Sequence, residues 1–327
     1  MTKILIIGGG GMVGQKLAGQ LVRDGLEDHG ALDITLFDVA FPTGAVAGPK
    51  QKIGNLSQTG AAQQLAAARP DIVFHLAAIV SGEAETNFSK SWDINMMSMW
   101  HLLEAFRAEH DASGGTYVPR VVFTSSIAVF GGPFPEKIDN LFLSAPQTSY
   151  GAQKAVSELM LTDFSRKGFV DGLSLRLPTI CVRPGKPNLA ASSFFSGIIR
   201  EPLNGEEAIL PVDDTVRHWH ASPKAAAGFL IHAARLDTDL LEGRRALNLP
   251  GLSCTVAEQI EALRAAAGQE AVNLIKPQPD PDIIKIVEGW PRNFDPTRAI
   301  KLGFRAESSF DEIVQTYIAE DLPAAST

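Results

Sequence analysis

The sequence predicts an α/β fold, in which a doubly wound parallel sheet carries helices on both faces and a smaller C-terminal domain is interleaved with it. Short apolar runs alternate with amphipathic stretches up to Pro178, which indicates strands separated by helices. The apolar runs contain few polar residues, as in strands buried on both faces of a parallel sheet. The length of 327 residues also corresponds to roughly two domains at about 150 residues each.

The first strand is predicted at Ile4 to Ile7. The helix after it follows from Val13, Leu17 and Leu21, because a spacing of four residues places them on one helical face. Further strands are predicted at 34–37, 71–77, 120–125 and 173–177, with a Gly/Pro-rich loop at 42–49. Further helices are predicted at 61–68, 87–110 and 150–167.

The regular alternation weakens beyond Pro178, where prolines become frequent. Two later pieces still fit the sheet domain, a helix at 223–235 and a strand at 245–249. We therefore expect a sheet domain made of residues 1–178 and 223–250. The smaller, substrate-binding domain would consist of residues 179–222 and 251–327.

Composition excludes several classes of protein. Hydrophobic residues make up 45% and charged residues 20%, an ordinary globular balance. The net charge is −8 and the basic residues are scattered, so we expect no nucleic acid partner. The longest mostly apolar run, 72–80, is far shorter than the ~20 residues of a membrane helix, and the N-terminal run is too short for a signal peptide.

Cysteine and histidine usage points to a reducing compartment without a metal site. The two cysteines, Cys181 and Cys254, cannot form a disulfide framework, and the seven scattered histidines show no metal-ligand spacing. We expect free thiols, no metal, no membrane association and a cytoplasmic location.

A glycine-rich turn joins the first strand to the first helix. A pyrophosphate needs backbone amides without obstructing side chains, and a helix N-terminus supplies free N–H groups at a positive dipole end. The alternative is a merely flexible turn. We predict that the turn binds a dinucleotide through Gly8, Gly11, Met12, Val13 and Gly14.

Asp38 ends the second predicted strand, 24 residues after Gly14. A carboxylate at this position accepts hydrogen bonds from the adenosine ribose hydroxyls and repels a 2′-phosphate. No arginine follows at 39–41, so the cofactor is predicted to be NAD rather than NADP. The alternative is a strand-end aspartate that only caps a loop.

Tyr150 and Lys154 lie four residues apart at the start of a predicted helix, so they project from one face. The strand before this helix ends in Ser125 and Ser126, at the carboxyl edge where open α/β sheets bind ligands. Tyrosine has a pKa near 10, and a neighbouring Lys154 together with a positive nicotinamide would favour the phenolate. Tyr150 is therefore a candidate general base, unless the pair lies on an exposed helix face.

The chain resembles the extended short-chain dehydrogenases/reductases, the family that includes nucleotide-sugar epimerases and dehydratases. Motifs along most of its length carry the resemblance: the glycine turn, Asp38, His75-Leu76-Ala77-Ala78, Asn95, Ser126 and the Tyr150/Lys154 pair. It implies a Rossmann domain with further NAD contacts from Asn55, Leu56, Leu76, Ala77, Ala78, Tyr150, Lys154, Leu177 and Thr179.

The resemblance also implies catalytic roles. The motif Ser126-Ile127-Ala128-Val129-Phe130-Gly131 selects Ser126 over Ser125 as the catalytic hydroxyl. Ser126 would hydrogen-bond the reacting oxygen, Lys154 would also hold the nicotinamide ribose, and Asn95 would organise a network behind Lys154. The alternative for Asn95 is a polar residue on an exposed helix face, while His75 is expected to be a hydrogen-bonded core histidine.

Three stretches resemble the D-erythronate dehydrogenase subgroup of this family: 176–188, 192–202 and 217–223. This similarity implies oxidation of the C2 hydroxyl of a small anionic sugar acid with NAD, giving the 2-keto acid. Lys186 is a further cation in the first stretch, and solvated surface cations are the alternative explanation for these basic residues. The candidate substrate contacts are Ser81, Ser125, Ser126, Tyr150, Thr179, Arg183 and Arg217.

Other functions remain open from the sequence. A nucleotide-sugar epimerase or dehydratase would keep NAD bound and return the hydride, although Ile127 and Ala128 stand where dehydratases use an acidic residue. A noncatalytic dinucleotide sensor is a third possibility, but such relatives usually lose the Tyr or the Lys. Helices 87–110 and 150–167 form a homodimer interface in many extended relatives, and core burial explains their apolar surface equally well.

Overall fold

A computed structural model describes residues 1–185 and 190–322. In chain order the strands are β1 (Thr2–Ile7), β2 (Leu32–Asp38), β3 (Lys50–Ile53), β4 (Ile72–His75), β5 (Arg120–Ser126), β6 (Asp171–Leu177), β7 (Thr179–Ile180), β8 (Ala208–Leu210), β9 (Arg217–Ala221), β10 (Ala246–Asn248), β11 (Leu252–Thr255) and β12 (Ile275–Pro277). The helices are α1 (Met12–Asp24), α2 (Ala61–Ala66), α3 (Ser81–Thr86), α4 (Phe88–Trp92), α5 (Ser98–Ala112), α6 (Ser149–Arg166), α7 (Ser193–Leu203), α8 (Pro223–Arg235), α9 (Val256–Val272, kinked at Gly268), α10 (Pro281–Glu288), α11 (Thr297–Lys301) and α12 (Phe310–Glu320).

The central sheet confirms the predicted fold class. Its strands follow the order β3-β2-β1-β4-β5-β6-β10, and every neighbouring pair is parallel. Successive side chains of β1 alternate between two apolar clusters: Ile4 and Ile6 pack with α1 and α8, while Leu5 and Ile7 pack with α2, α5 and α6. Both faces are therefore covered, which explains why the strands read as continuous apolar runs.

The predicted helix at 87–110 is confirmed as one uninterrupted helical stretch from Phe88 to Ala112. Within it, a π-helical segment at Asp93–Met97 separates α4 from α5. A π turn takes one more residue than an α turn, and such insertions are frequent at functional sites. Apolar periodicity does not register the extra residue, so the sequence did not predict the π-helical segment.

The exposed strand β3 was missed because its residues, Lys50-Gln-Lys-Ile, offer no apolar run. It adds to the sheet by backbone pairing with β2, in a register that places Ile53 beside Asp38. The predicted helix at 223–235 is confirmed as α8. Its N-cap Ser222 accepts a hydrogen bond from the Ala225 N–H, and Pro223 occupies the first turn.

Two smaller sheets lie outside the central one. Strand β9 pairs antiparallel with β11 and parallel with β7, and β8 pairs with β12. A separate apolar cluster, with Phe195, Leu263 and Val314 at its centre, joins α7, α9 and α12. The division into residues 1–178 plus 223–250 and 179–222 plus 251–327 stays a prediction. Ala299 and Phe304, however, pack in the same cluster as α8 and the central sheet.

Within the two described ranges, no helix is both long enough and apolar enough to span a bilayer.

Candidate active site

The strand order reverses between β1 and its neighbours β2 and β4, and ligands of open α/β sheets bind at the carboxyl ends of strands beside such a point. The glycine turn follows β1, Asp38 ends β2, and Ser126 ends β5. The topology thus brings motifs more than 100 residues apart in the sequence to one edge of the sheet.

The glycine turn is tight enough to require its glycines. Gly8 has a φ of +89°, and a Cβ there would lie 2.6 Å from the Ala77 nitrogen. A Cβ on Gly14 would lie 2.3 Å from the Gly8 carbonyl oxygen. Helix α1 begins at Met12 without a side-chain cap on Gly11, so the first-turn N–H groups of Met12 and Val13 can bind an anion.

Asp38 is fixed by the backbone around it. Its Oδ2 accepts a hydrogen bond from the Gly10 N–H at 2.9 Å, and its Oδ1 accepts one from the Val39 N–H at 2.7 Å. A carboxylate has about four lone-pair sites, so these two bonds leave room for ribose hydroxyls. The residues therefore fit the adenosine half of a dinucleotide.

The other predicted cofactor contacts lie at the ends of β3, β4 and β6. Asn55 uses its side-chain oxygen to accept the Ser57 N–H and hydroxyl, and Leu56 is buried in the apolar cluster with Phe37. The Ala77 N–H donates to the Ile7 carbonyl. Neither Asn55 nor Leu56 lines the cavity described next, whereas Leu76, Ala78 and Leu177 do.

One cavity of about 300 Å³ collects most of the predicted catalytic and substrate residues. The predicted residues in its wall are Val13, Leu76, Ala78, Ser81, Ser125, Ser126, Tyr150, Lys154, Leu177, Thr179 and Arg183. Sequence reasoning missed several others, of which the most informative are Gln147, His218, Trp290 and Pro291. The last two follow α10, a part of the chain where no motif drew attention.

Tyr150, Lys154 and Ser126 form one constellation. Tyr150 lies in the first turn of α6, whose N-cap Thr148 accepts the Gly151 N–H at 3.0 Å. Lys154 follows one turn later, with its Nζ 5.6 Å from the Tyr150 ring centroid and donating to the Thr124 carbonyl at 2.7 Å. The Ser126 hydroxyl hydrogen-bonds the Tyr150 phenol and accepts the Ala128 N–H at 3.1 Å.

Burial shifts the pKa values of Tyr150 and Lys154. It raises the pKa of Tyr150, while the hydrogen bond from Ser126 and the positive Arg183 oppose that rise. Burial also lowers the pKa of Lys154 to about 7, against the opposing charge of Glu158. Perturbed groups that converge in a cleft are typical of an active site.

Asn95 lies in the π-helical segment and is buried, which excludes the exposed-face alternative. Its side chain accepts the Ile79 N–H at 2.7 Å and donates to the Ile79 carbonyl and to Gln153 Oε1. Gln153 in turn donates to the Ser91 hydroxyl at 2.8 Å. Asn95 thus joins the loop after β4 to the residue before Lys154, and it touches Lys154 only through the backbone of α6.

Ser125 has a different partner from the one expected for a substrate contact. Its hydroxyl donates to Glu158 Oε1 at 2.5 Å, and Glu158 also accepts two bonds from Arg176 at 2.7 and 2.9 Å. Arg176 reaches Asn248 on β10 at 3.2 Å. Ser125 lines the cavity, yet its proton belongs to this buried network rather than to a ligand.

The two arginines proposed to bind an anion lie in different places. Arg183 lines the cavity, with its Nε donating to the Ile180 carbonyl at 2.9 Å and one terminal nitrogen 3.4 Å from the Ser192 hydroxyl. No carboxylate pairs with Arg183 anywhere in the part of the chain that the structure describes. Burial lowers its pKa, which is the cost of holding a cation without a counter-ion.

Arg217, the other arginine predicted to contact the substrate, does not line this cavity. Its guanidinium pairs with Glu258 at 3.2 Å and donates to the Ser253 carbonyl at 2.8 Å, in a separate surface depression. Side chains of a strand alternate between its two faces, so the cavity receives His218 instead of Arg217. Lys186, the third candidate cation, lies outside the described residues.

Histidine assignments also changed. His218 was not singled out, yet it lines the cavity and its Nε2 lies 2.7 Å from the Thr179 hydroxyl. His75 is fully buried at the end of β4 as expected, but neither ring nitrogen has a hydrogen-bond partner among the described residues, unlike the hydrogen-bonded core histidine that was predicted. Burial and the nearby Lys154 lower its pKa to about 3.

Among residues 1–185 and 190–322, no three His, Cys, Asp or Glu side chains cluster as metal ligands. Both cysteines are buried free thiols.

Comparison with known proteins places the chain in a family. Residues 4–240 match the model of the NAD dependent epimerase/dehydratase family. The chain is 43% identical to D-erythronate dehydrogenase of Cupriavidus necator over 97% of its length and 98% of the relative's. It is 40% identical to D-erythronate dehydrogenase of Haemophilus influenzae, over 98% of this chain and all of that one.

A solved structure is similarly close. The nucleoside-diphosphate-sugar epimerase from Agrobacterium tumefaciens superposes with a TM-score of 0.94 at 53% identity, covering 98% of this chain and 94% of that one. The matches span the central sheet, the glycine turn and the Tyr150/Lys154 helix, so the chain belongs to the NAD dependent epimerase/dehydratase family.

Proposed function

We propose that this protein oxidises the C2 hydroxyl of a small sugar acid with NAD, and that the substrate is D-erythronate, which would give 2-dehydro-D-erythronate. One observation carries the proposal: Arg183, which pairs with no carboxylate among the residues that the structure describes, shares a cavity with Ser126, Tyr150 and Lys154. The curated relatives at 40–43% identity carry the name of this activity.

The Arg183 side chain is suited to binding a carboxylate group. A guanidinium has five N–H donors, and the bonds to Ile180 and Ser192 use two of them. The remaining donors can bind a carboxylate in a bidentate manner, the strong form of charge-assisted hydrogen bonding. An anionic substrate would also remove the cost of an unpaired buried cation.

Tyr150 would act as the general base. The phenolate takes the proton of the substrate C2 hydroxyl as the C2 hydrogen leaves as hydride, and Ser126 holds the same oxygen by a hydrogen bond. When bound, NAD supplies the hydride acceptor and, through its positive nicotinamide ring, an additional charge that favours the phenolate. Lys154 and Arg183 add positive charge on the protein side.

The residues at the adenosine end support NAD over NADP. The Asp38 carboxylate is pinned by two backbone N–H groups at the end of β2, where a ribose 2′-phosphate would meet its negative charge. Within the first-turn residues of α1, no basic side chain precedes Lys16 to offset that charge.

The size of the cavity favours a small substrate. About 300 Å³ is at the low end of the roughly 300–1,000 Å³ of ligand pockets, and the nicotinamide must share the space. A nucleotide sugar would need far more room. For this reason the epimerase alternative is less well supported, although a close structural relative bears the epimerase name.

The test is a substrate panel. Purified protein with NAD and sugar acids of three to six carbons should produce NADH, followed by its absorbance, with D-erythronate the preferred acid. The Tyr150→Phe variant is the control for background reduction. Tightly copurifying NAD, no NADH with any acid and interconversion of nucleotide sugars would instead establish the epimerase activity.

We also propose a homodimer through the α5 and α6 faces. Trp100 on α5 and Leu159 on α6 expose 40% and 71% of their surface, and Phe88 on the preceding α4 exposes 60%. Contiguous apolar side chains on a surface mark interaction sites. A second copy of the same face would cover them. Sedimentation equilibrium should give twice the chain mass, and Leu159→Asp should shift it to the monomer mass. A monomeric wild type would contradict this assembly.

A further inference from the structure

Thr179 and His218 form a hydrogen-bonded pair in the wall of the cavity. Thr179 opens β7, directly after the strand β6 that ends beside Ser126, and His218 lies on the neighbouring strand β9. The Thr179 hydroxyl oxygen is 2.7 Å from His218 Nε2. The imidazole is only 3% exposed, so this contact is its main polar interaction on that side.

The direction of this hydrogen bond follows from the other ring nitrogen. His218 Nδ1 lies 3.0 Å from the Pro291 carbonyl oxygen, which can only accept, so Nδ1 carries a proton. Burial lowers the pKa of His218 to about 4, so the ring is neutral near pH 7 and Nε2 holds a lone pair. Nε2 therefore accepts, and the Thr179 hydroxyl donates its single proton to it.

Aromatic packing keeps the imidazole in this orientation. The ring is parallel to Phe195 within 3° at a centroid distance of 5.3 Å, and Trp290 packs on it at 5.1 Å. A 180° flip of the ring would put Cδ2 in the place of Nδ1 and Cε1 in the place of Nε2, so both hydrogen bonds would be lost. The packing and the two hydrogen bonds thus specify one tautomer.

We propose that His218 is a positioning residue that determines specificity. Because Nε2 of His218 accepts the hydrogen bond that the Thr179 hydroxyl donates, the Thr179 oxygen can act only as an acceptor toward the cavity. Such an oxygen selects a substrate that presents a second hydroxyl as donor. It discriminates against an analogue with hydrogen, a keto group or an ether at that position. The inference rests on the proposed function, because it assigns this hydroxyl to a hydroxy acid whose carboxylate lies on Arg183.

The first test measures discrimination. For the wild type, kcat/KM should be about 10-fold higher for D-erythronate than for its 3-deoxy analogue, 2,4-dihydroxybutanoate, because an unmade buried hydrogen bond costs on this order. Thr179→Val should remove the preference through KM, and Thr179→Ser should retain it. His218→Phe, which keeps the aromatic packing, should lower the preference as well.

A second readout does not depend on turnover. The ¹⁵N chemical shifts of His218, assigned by comparison with the His218→Phe variant, should show a protonated Nδ1 and an unprotonated Nε2 at pH 7. A protonated Nε2 would overturn the proposal, as would a His218→Phe variant that folds and keeps the full preference while Thr179→Val loses it. If the wild type forms no NADH with any sugar acid, the proposed function fails, and the ¹⁵N signal alone decides the assignment of His218.

Discussion

Two regions of the site are built by different means: the glycine turn with Asp38, called the nucleotide half, and the cavity wall around Arg183 and His218, called the substrate half. The nucleotide half uses backbone: N–H groups at the start of α1, glycines that permit close approach, and Asp38 held by peptide donors. The substrate half uses side chains from separate elements, among them Arg183, His218 and Trp290. A site that requires particular backbone geometry can be recognised from a local sequence motif. A site formed by side chains from separate elements has no such motif.

The two arginines show the consequence. From the sequence, both Arg183 and Arg217 were candidates for binding the substrate carboxylate. The structure gives Arg217 a carboxylate partner, Glu258, and leaves Arg183 facing the cavity without one in the described part of the chain. The distinction depends on the face of β9 that Arg217 occupies, on Glu258 in the first turn of α9, and on the loop after β7, which places Arg183 in the cavity wall.

The largest expected effect comes from removing the proposed general base, Tyr150. Tyr150→Phe should lower kcat by at least about 10²–10⁴-fold, the usual contribution of general acid–base catalysis, with little change in NAD affinity. Steady-state kinetics and a fluorescence titration with NADH measure the two quantities. Near-normal turnover would refute the assignment of Tyr150.

A paired substitution tests the comparison of the arginines. Arg183→Ala should raise KM for the sugar acid about 10–100-fold, since a charged hydrogen bond contributes roughly 1.5–3 kcal/mol. Arg217→Ala is the matched control. It should leave KM nearly unchanged, because the Arg217 guanidinium pairs with Glu258 on the surface, where such ion pairs contribute little. Equal effects of the two substitutions on KM would show that Arg183 does not bind the substrate carboxylate in preference to Arg217.

The nucleotide half predicts a change in cofactor preference. Asp38→Ala should lower kcat/KM for NAD about 10-fold through two lost ribose hydrogen bonds, and should raise kcat/KM for NADP because the repulsive carboxylate is gone. KM for the sugar acid should not change. A wild type that already uses both cofactors equally would contradict this role of Asp38.

The last prediction concerns stability in acid instead of catalysis. Burial lowers the pKa of His75 to about 3 and of His218 to about 4, and it lowers that of His220 well below its ordinary value. In the unfolded chain these groups titrate near about pH 6.5, so between there and pH 4 the unfolded state binds more protons. The free energy of unfolding should therefore fall as the pH falls.

Each such histidine contributes up to about 1.4 kcal/mol per pH unit in that window. Urea unfolding at pH 4.5, 5.5 and 7 measures the slope. His218→Phe should reduce it by one histidine's share, which tests a buried neutral group of the substrate half directly. A slope identical to that of the wild type would mean that His218 titrates in the folded protein.

Sequence patterns predicted the sheet and its edge well because they depend on local rules. Apolar runs identified the central strands except β3, and the glycine turn, Asp38, Ser126 and the Tyr150/Lys154 spacing each follow from chemistry within one turn or strand end. The π segment around Asn95 escaped prediction, since one extra residue per turn does not disturb the apolar pattern.

The sequence by itself determined that strands alternate with helices, that a glycine-rich turn suited to a dinucleotide follows the first strand, and that Tyr150 and Lys154 share a helical face. Only the tertiary structure decided which cation faces the cavity, that Ser125 belongs to the Glu158 network, and that Thr179 donates to His218. The physical reason is that these contacts join residues 33 to 73 positions apart, whose proximity depends on packing among several elements.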